Sequence, residues 1–200
     1  MFRPPDSPGI LLRSVVWRNL ATHGSDHCSL WQIGRSWRLQ GTAIAVLNEG
    51  RPMLADYEIE CDQLWHTRRV AATCLTGSTT RSIDLVVEAS GVWRSSGEEL
   101  PTLGQCSDID LVVTPATNTL PIRRLNLEVG QSQQVTAAWL KFPELTLEIL
   151  FQLYTRLGPQ RYRYQSGTSF SAELLVDDLG LVTVLSRRLG ADRRSLVSPP

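Results

Sequence analysis

From Met53 to Cys61 the chain switches character at every residue. Met53, Ala55, Tyr57, Ile59 and Cys61 fall on one side of an extended backbone, and Asp56, Glu58, Glu60 and Asp62 fall on the other. Side chains alternate across a strand with period two, so this segment reads as a strand with one face in a core and one face in water. The same pattern recurs where Ile83, Leu85, Val87 and Ala89 oppose Ser82, Asp84 and Glu88, and where Phe170, Ala172, Leu174 and Val176 oppose Ser171, Glu173 and Asp177. Further strands are expected at Leu12 to Trp17, Cys28 to Ile33, Ser36 to Leu47, Trp65 to Thr76, Gln134 to Lys141, Arg161 to Ser166 and Leu181 to Leu185. Turn chemistry separates them at Asn48-Glu49-Gly50, Thr76-Gly77-Ser78, Ser90-Gly91, Gly158-Pro159 and Asp177-Asp178-Leu179-Gly180.

One segment carries two periods. Leu145, Leu147, Ile149, Phe151 and Leu153 alternate, while Leu145, Ile149, Leu153 and Leu157 also recur every four residues after Pro143. The β-branched and aromatic Thr146, Ile149, Phe151 and Tyr154 favour a strand over a helix. Many short strands at hairpin spacing predict a mostly β, single-domain curved antiparallel sheet, a β-roll or incomplete barrel with little helix. The domain is expected over residues 10–188, with residues 1–9 and 189–200 as flexible termini rich in Pro, Ser and Arg.

Charge and composition narrow the partners. The 20 basic and 20 acidic residues cancel, so no global field draws the chain to a polyanion, and a nucleic-acid partner is not expected. No stretch approaches the ~18 apolar residues of a membrane helix, and Met1 to Ile10 lacks an export-type apolar run. The expectation is a chain that spans no membrane and resides in the cytoplasm. Cys28, Cys61, Cys74 and Cys106 form no C-x-x-C pair, and in a reducing compartment they are expected as free thiols buried like small hydrophobes.

Candidate chemistry is sparse. His23, Asp26, His27 and Cys28 include zinc-ligating types, but His-Gly-Ser-Asp-His reads as a surface turn leading into a strand, and no second cluster supplies a fourth ligand. Asp108 and Asp110 share a strand face and could hold a cation, yet no glycine-rich phosphate cradle accompanies them. Ser166, Ser169 and Ser171 make no nucleophile elbow. No metal, cofactor or catalytic residue is assigned, and enzymatic activity stays open.

The most unusual stretch runs from Asp108 to Leu125. It reads as a strand, a polar loop fixed by Pro115 and Pro121 and filled by Thr117, Asn118 and Thr119, and an exit through Arg123 and Arg124. If a strand begins at Ile122, the two arginines face opposite ways, and Arg123 is taken to face inward. Trp17, Trp31, Trp37, Trp65, Trp93 and Trp139 fall in or at the start of strands, as core or as cavity wall.

Asp108-Ile109-Asp110-Leu111, Thr114-Pro115 and Thr117 to Leu125 together resemble the signature of a bacterial family described as glycolipid-binding. Cys61-Asp62 with Trp65, Thr67 and Arg68, Gly91 with Trp93, Trp139 with Phe142-Pro143-Glu144-Leu145, and Tyr162-Arg163-Tyr164 through Gly180-Leu181-Val182 are similar to it as well. The resemblance spans roughly His27 to Leu185. It implies a curved, rolled sheet, like bacterial lipoprotein carriers in outline, with an apolar interior suited to a lipid tail. Leu185 departs from the family pattern, which has an aromatic there, commonly Tyr.

The function expected on this basis is noncatalytic binding of an amphiphilic small molecule, a glycolipid or another lipid. Arg68, Asn118 and Arg123 would meet the polar head, and Trp65, Trp139 and Tyr164 would complete the site. The rival readings are a hydrolase or transferase acting on a lipid or glycan, which needs convergent titratable groups, and a protein-interaction module, which needs an exposed apolar patch.

Overall fold

A computed structural model of the chain describes residues 9–20, 24–47, 50–189 and 192–198. It contains one sheet of 15 strands in the order β8-β7-β6-β5-β4-β3-β2-β1-β15-β14-β13-β12-β11-β10-β9. The first half is a meander of β1 (Ile10–Asn19), β2 (Gly24–Ile33), β3 (Ser36–Val46), β4 (Pro52–Cys61), β5 (Thr67–Thr76), β6 (Thr79–Val87), β7 (Trp93–Ser95) and β8 (Glu98–Glu99). The second comprises β9 (Asp108–Leu111), β10 (Ser132–Lys141), β11 (Thr146–Gly158), β12 (Arg161–Ser166), β13 (Ser171–Val176), β14 (Val182–Leu189) and β15 (Asp192–Ser198). All pairings are antiparallel except β9 with β10, which is parallel because the chain crosses over between them.

The alternation read in the sequence holds. Met53, Ala55, Tyr57, Ile59 and Cys61 are all buried, while Asp56, Glu58 and Glu60 across the strand are half-buried. The segment with two periods is strand β11, as its β-branched and aromatic content favours. Trp65 lies outside β5, in the turn before it, with a positive φ of 69°.

The two halves share a core. Leu30, Leu39, Val70 and Leu85 of the first half pack with Ile109, Leu111, Ala138 and Leu140 of the second. A second cluster fills the inside of the second half, with Ile122, Val135, Tyr154, Tyr162, Ala172 and Leu174. Strand β10 therefore buries both faces, Ala138 and Leu140 toward one cluster and Val135 toward the other. Three ties cross between distant strands: Trp17 Nε1 donates to the Val182 carbonyl at 2.7 Å, Trp93 Nε1 to the Cys106 carbonyl at 3.0 Å, and the Ile109 amide to Thr67 Oγ1 at 3.3 Å. These ties close the curled sheet into an incomplete barrel.

Two expectations need correction. The exit from the Asp108–Leu125 stretch is a single 3-10 turn, Ala116–Asn118, running into helix α1, Thr119–Leu125, and not a loop followed by a strand. A helix of 7 residues is too short to show a 3.6-residue period, and Pro121 sits in its first turn, where it costs no hydrogen bond. Asn126 ends it in the left-handed conformation at φ 43°. Second, Asp26 and His27 already belong to strand β2, with Asp26 inward and His27 exposed; His23 lies outside the described residues. At the other end, residues 192–198 form strand β15, which pairs with β14 and briefly with β1. Residues 1–8, expected as a flexible end, lie outside the described residues. Cys28, Cys61, Cys74 and Cys106 are free and buried.

Candidate functional site

Register decides which side chains meet inside the second half. Asp110 of β9 pairs with Trp139 of β10, Ala137 with Leu150 of β11, Gln152 with Ser166 of β12, Tyr154 with Tyr164, and Leu174 of β13 with Leu185 of β14. Cross-strand partners project to the same face. The concave face thus collects Asp110, Trp139, Leu150, Gln152, Tyr164 and Leu185, and the helical segment covers it. Between them lies a cavity of about 320 Å³, walled by Trp139, Leu150, Phe170, Leu185 and Val113 and carrying Asp110, Asn118, Tyr164, Ser166 and Thr168 as polar groups. That volume is at the lower end of the ~300–1,000 Å³ range of small-molecule sites.

Among the described residues lining this cavity, Asp110 is the charged one. Gln152 Nε2 donates to its carboxylate and, at 3.1 Å, to the Tyr164 hydroxyl; Thr117 Oγ1 donates to it at 3.5 Å. Burial pushes the carboxyl up to about 6, against these hydrogen bonds and one from Tyr164, which pull it down. Asn118 is anchored at both ends, its Nδ2 donating to the Pro115 carbonyl at 3.0 Å and its Oδ1 accepting from the Tyr154 hydroxyl at 2.8 Å.

A second cavity, of about 490 Å³, adjoins the first across Val112, Val113 and Pro115 and is lined by Trp17, Asp26, Phe142 and Arg51 among others. Asp26 is 4% exposed and accepts from the Tyr57 hydroxyl at 3.1 and 3.3 Å, while Tyr57 and Thr114 share a 3.0 Å hydrogen bond. Burial pushes its carboxyl up to about 7, opposed by hydrogen bonds from Thr114 and Tyr57. Gly41 makes room for this cluster: a Cβ there would sit 2.3 Å from the Tyr57 hydroxyl and 2.4 Å from the His27 carbonyl. Thr114 also accepts the Ala116 amide at 3.0 Å, so the segment between the cavities is tied to the first half of the sheet.

Of the six residues singled out in the sequence, the structure brings Asn118, Trp139 and Tyr164 to one cavity. Arg68, Arg123 and Trp65 are elsewhere. The Arg123 guanidinium lies 5.5 Å from the Trp65 ring, which stacks on Trp37 at 4.8 Å, and Arg68 donates to Asp62 at 2.7 Å and to the Glu88 carbonyl at 2.9 Å. The facing of the two arginines is the reverse of the strand argument, because both sit on α1. Arg123 is exposed, and Arg124 turns in to pair with Asp108 at 2.5 Å, where Asp108 is 1% exposed. That pairing also removes Asp108 as a cation ligand; among the described residues no group of three or more His, Cys, Asp or Glu is placed to hold a metal. Gln152 and Asp26 were missed as site residues. A lone amide between Leu150 and Tyr154 on a buried strand face was the available signal for Gln152.

A larger groove of about 790 Å³ at one end of β1–β5 is lined by Leu20, Ile44, Val46, Leu54 and Leu75. Ile44, Leu54 and Leu75 are cross-strand neighbours on the outer face, and among the described residues the groove holds no buried polar group comparable with Asp110 or Asp26.

A curled antiparallel sheet with a small, part-polar, half-open cavity beneath a covering segment defines a β-roll fold. The chain belongs to the family described as "Putative glycolipid-binding", whose pattern matches residues 14–188. Its fold is similar to the crystal structure of a DUF1089 family protein from Pseudomonas aeruginosa, with 29% identity and a TM-score of 0.73, over 99% of this chain and 95% of that one. No curated protein matches the chain. Among the described residues, no helix is long and apolar enough to cross a membrane.

Proposed function

We propose that the protein binds an amphiphilic small molecule, of which a glycolipid is one kind, in the cavity beneath the helical segment. The observation that carries this reading is the division of the cavity wall: Trp139, Leu150, Phe170 and Leu185 offer apolar surface, and Asp110, Asn118 and Tyr164 offer a polar end. Apolar burial at ~0.8 kcal/mol per methylene must outweigh an association cost of ~4 kcal/mol or more, so a short tail alone binds weakly and the polar end sets affinity. Arg68, Arg123 and Trp65, which lie outside the cavity, are not carried forward as contacts.

A two-carboxylate hydrolase is less well supported. Asp26 and Asp110 both have raised pKa values, as catalytic acids do. They nevertheless line different cavities, on opposite sides of the Val112–Pro115 segment, and do not converge on one reacting atom.

Native mass spectrometry of protein purified from cells, before and after organic extraction, tests the reading. Leu185→Trp is the matched variant, since it fills the cavity from its wall. The expected result is a retained amphiphile on the wild type and its loss from Leu185→Trp at unchanged thermal midpoint. Equal loading of both proteins would place the ligand elsewhere.

A further inference from the structure

The groups holding Asp110 are all neutral: an amide from Gln152 and hydroxyls from Thr117 and Tyr164. Three of the cations described nearby are already engaged. Arg124 is bound to Asp108 and Ser107, Lys141 Nζ is held by Glu148 at 2.7 Å, and Arg123 lies over Trp65. Among the described residues lining the cavity, Asp110 is thus the charged one, and none of the cations described nearby pairs with it. Around it stand aromatic rings. Trp139 is its in-register neighbour on β10, and Tyr164 and Phe170 meet at 6.0 Å and 59°. The Trp139 ring already carries one ammonium, that of Lys141, at 4.7 Å.

We propose that this cavity selects amphiphiles with a cationic amine head group, seated between the Asp110 carboxylate and the rings of Trp139, Tyr164 and Phe170. The proposal rests on the reading of the cavity as an amphiphile site and specifies its head-group class. An ammonium gains a charge-assisted hydrogen bond to a poorly hydrated carboxylate and the attraction of the ring faces, both of which strengthen away from water. A sulfate or carboxylate head would bring a second negative charge next to the Asp110 carboxylate. A sugar head can hydrogen-bond to Asn118 and Tyr164 but gains nothing from the charge of Asp110.

The test is isothermal titration at pH 7.5 with octylammonium, octyl glucoside and octyl sulfate, each below its micelle concentration, on wild type and Asp110→Asn. The expected order is octylammonium at least tenfold tighter than the glucoside, with the sulfate weakest. Asp110→Asn is expected to cost octylammonium tenfold or more and to change the glucoside less than twofold. Binding of glucoside or sulfate as tight as that of octylammonium overturns the head-group assignment and leaves the cavity reading standing, as does an unaltered ammonium affinity in Asp110→Asn. Binding of none of the three overturns the cavity reading, and the assignment with it. The wild-type series decides the question even if the variant fails to fold.

Discussion

Asp26 is a carboxyl group 4% exposed to solvent and held by a tyrosine and a threonine hydroxyl. Its pKa, near 3.8 when the chain is unfolded and about 7 when folded, ties stability to pH. Between those values the folded state holds a proton that the unfolded state has released, so stability falls as pH rises and levels off above about 7. At ~1.4 kcal/mol per unit the full penalty is about 4 kcal/mol. Asp110 acts in the same direction but is spent by about 6, which leaves Asp26 as the main contributor of the two between pH 6 and 8. The urea midpoint of the wild type is therefore expected to fall across that window and that of Asp26→Asn to stay nearly flat; parallel curves would show that the Asp26 carboxyl is not the cause. Gly41 is the residue that allows the cluster. Gly41→Ala forces Tyr57 and the His27 carbonyl apart and is expected to cost ~1–3 kcal/mol in the same urea assay, as other overpacked sites do.

At the scale of elements, the contrast between Arg123 and Arg124 tests whether α1 is placed correctly. Arg124→Ala leaves Asp108, 1% exposed, with a buried charge and no guanidinium, a change that costs ~3–5 kcal/mol for fully buried pairs and somewhat less at the partly exposed Arg124. Arg123→Ala loses a cation–π contact worth ~0.5–1 kcal/mol. Chemical denaturation is expected to rank Arg124→Ala well below Arg123→Ala, and the reverse order would restore the strand reading of this segment. The misreading has a physical origin. Strands such as β4 display their faces over ten residues, whereas α1 has seven, two of them Pro121 and a terminal Leu125 that also suit a loop. Strands β7 and β8, of 3 and 2 residues, are too short for any period. The site was legible to the same extent. Asn118, Trp139 and Tyr164 could be singled out within their own segments, but their meeting with Asp110 and Gln152 depends on the parallel pairing of β9 with β10, which joins segments separated by the helical turn and has no local signature.

Across the whole molecule the question is whether two meanders fold as one unit. Their backbone link is slight: among the described residues, β1 and β15 pair through Arg18 with Ser198 and Asn19 with Val197. Side chains do more: Leu30, Leu39 and Leu85 share one cluster with Ile109, Leu111 and Leu140, so neither half can bury its apolar face without the other. Cooperativity follows from that shared burial. Guanidinium unfolding followed by tryptophan fluorescence and by far-ultraviolet circular dichroism is expected to give a single coincident transition, whereas two separated transitions would make the halves independent domains. Trp17 permits a sharper version. Its indole is 1% exposed and donates to the Val182 carbonyl across the seam, so Trp17→Phe removes that donor and leaves a buried carbonyl unpaired, at a cost of ~1–3 kcal/mol. The midpoint is expected to drop while the transition stays single, because the shared apolar cluster remains. Amide exchange should then quicken first along β1 and β14, which the lost bond joins, and least in β3 and β4, which lie inside the first meander. Equal acceleration throughout both meanders would mean that the seam has no local stability of its own and opens only when the entire sheet unfolds.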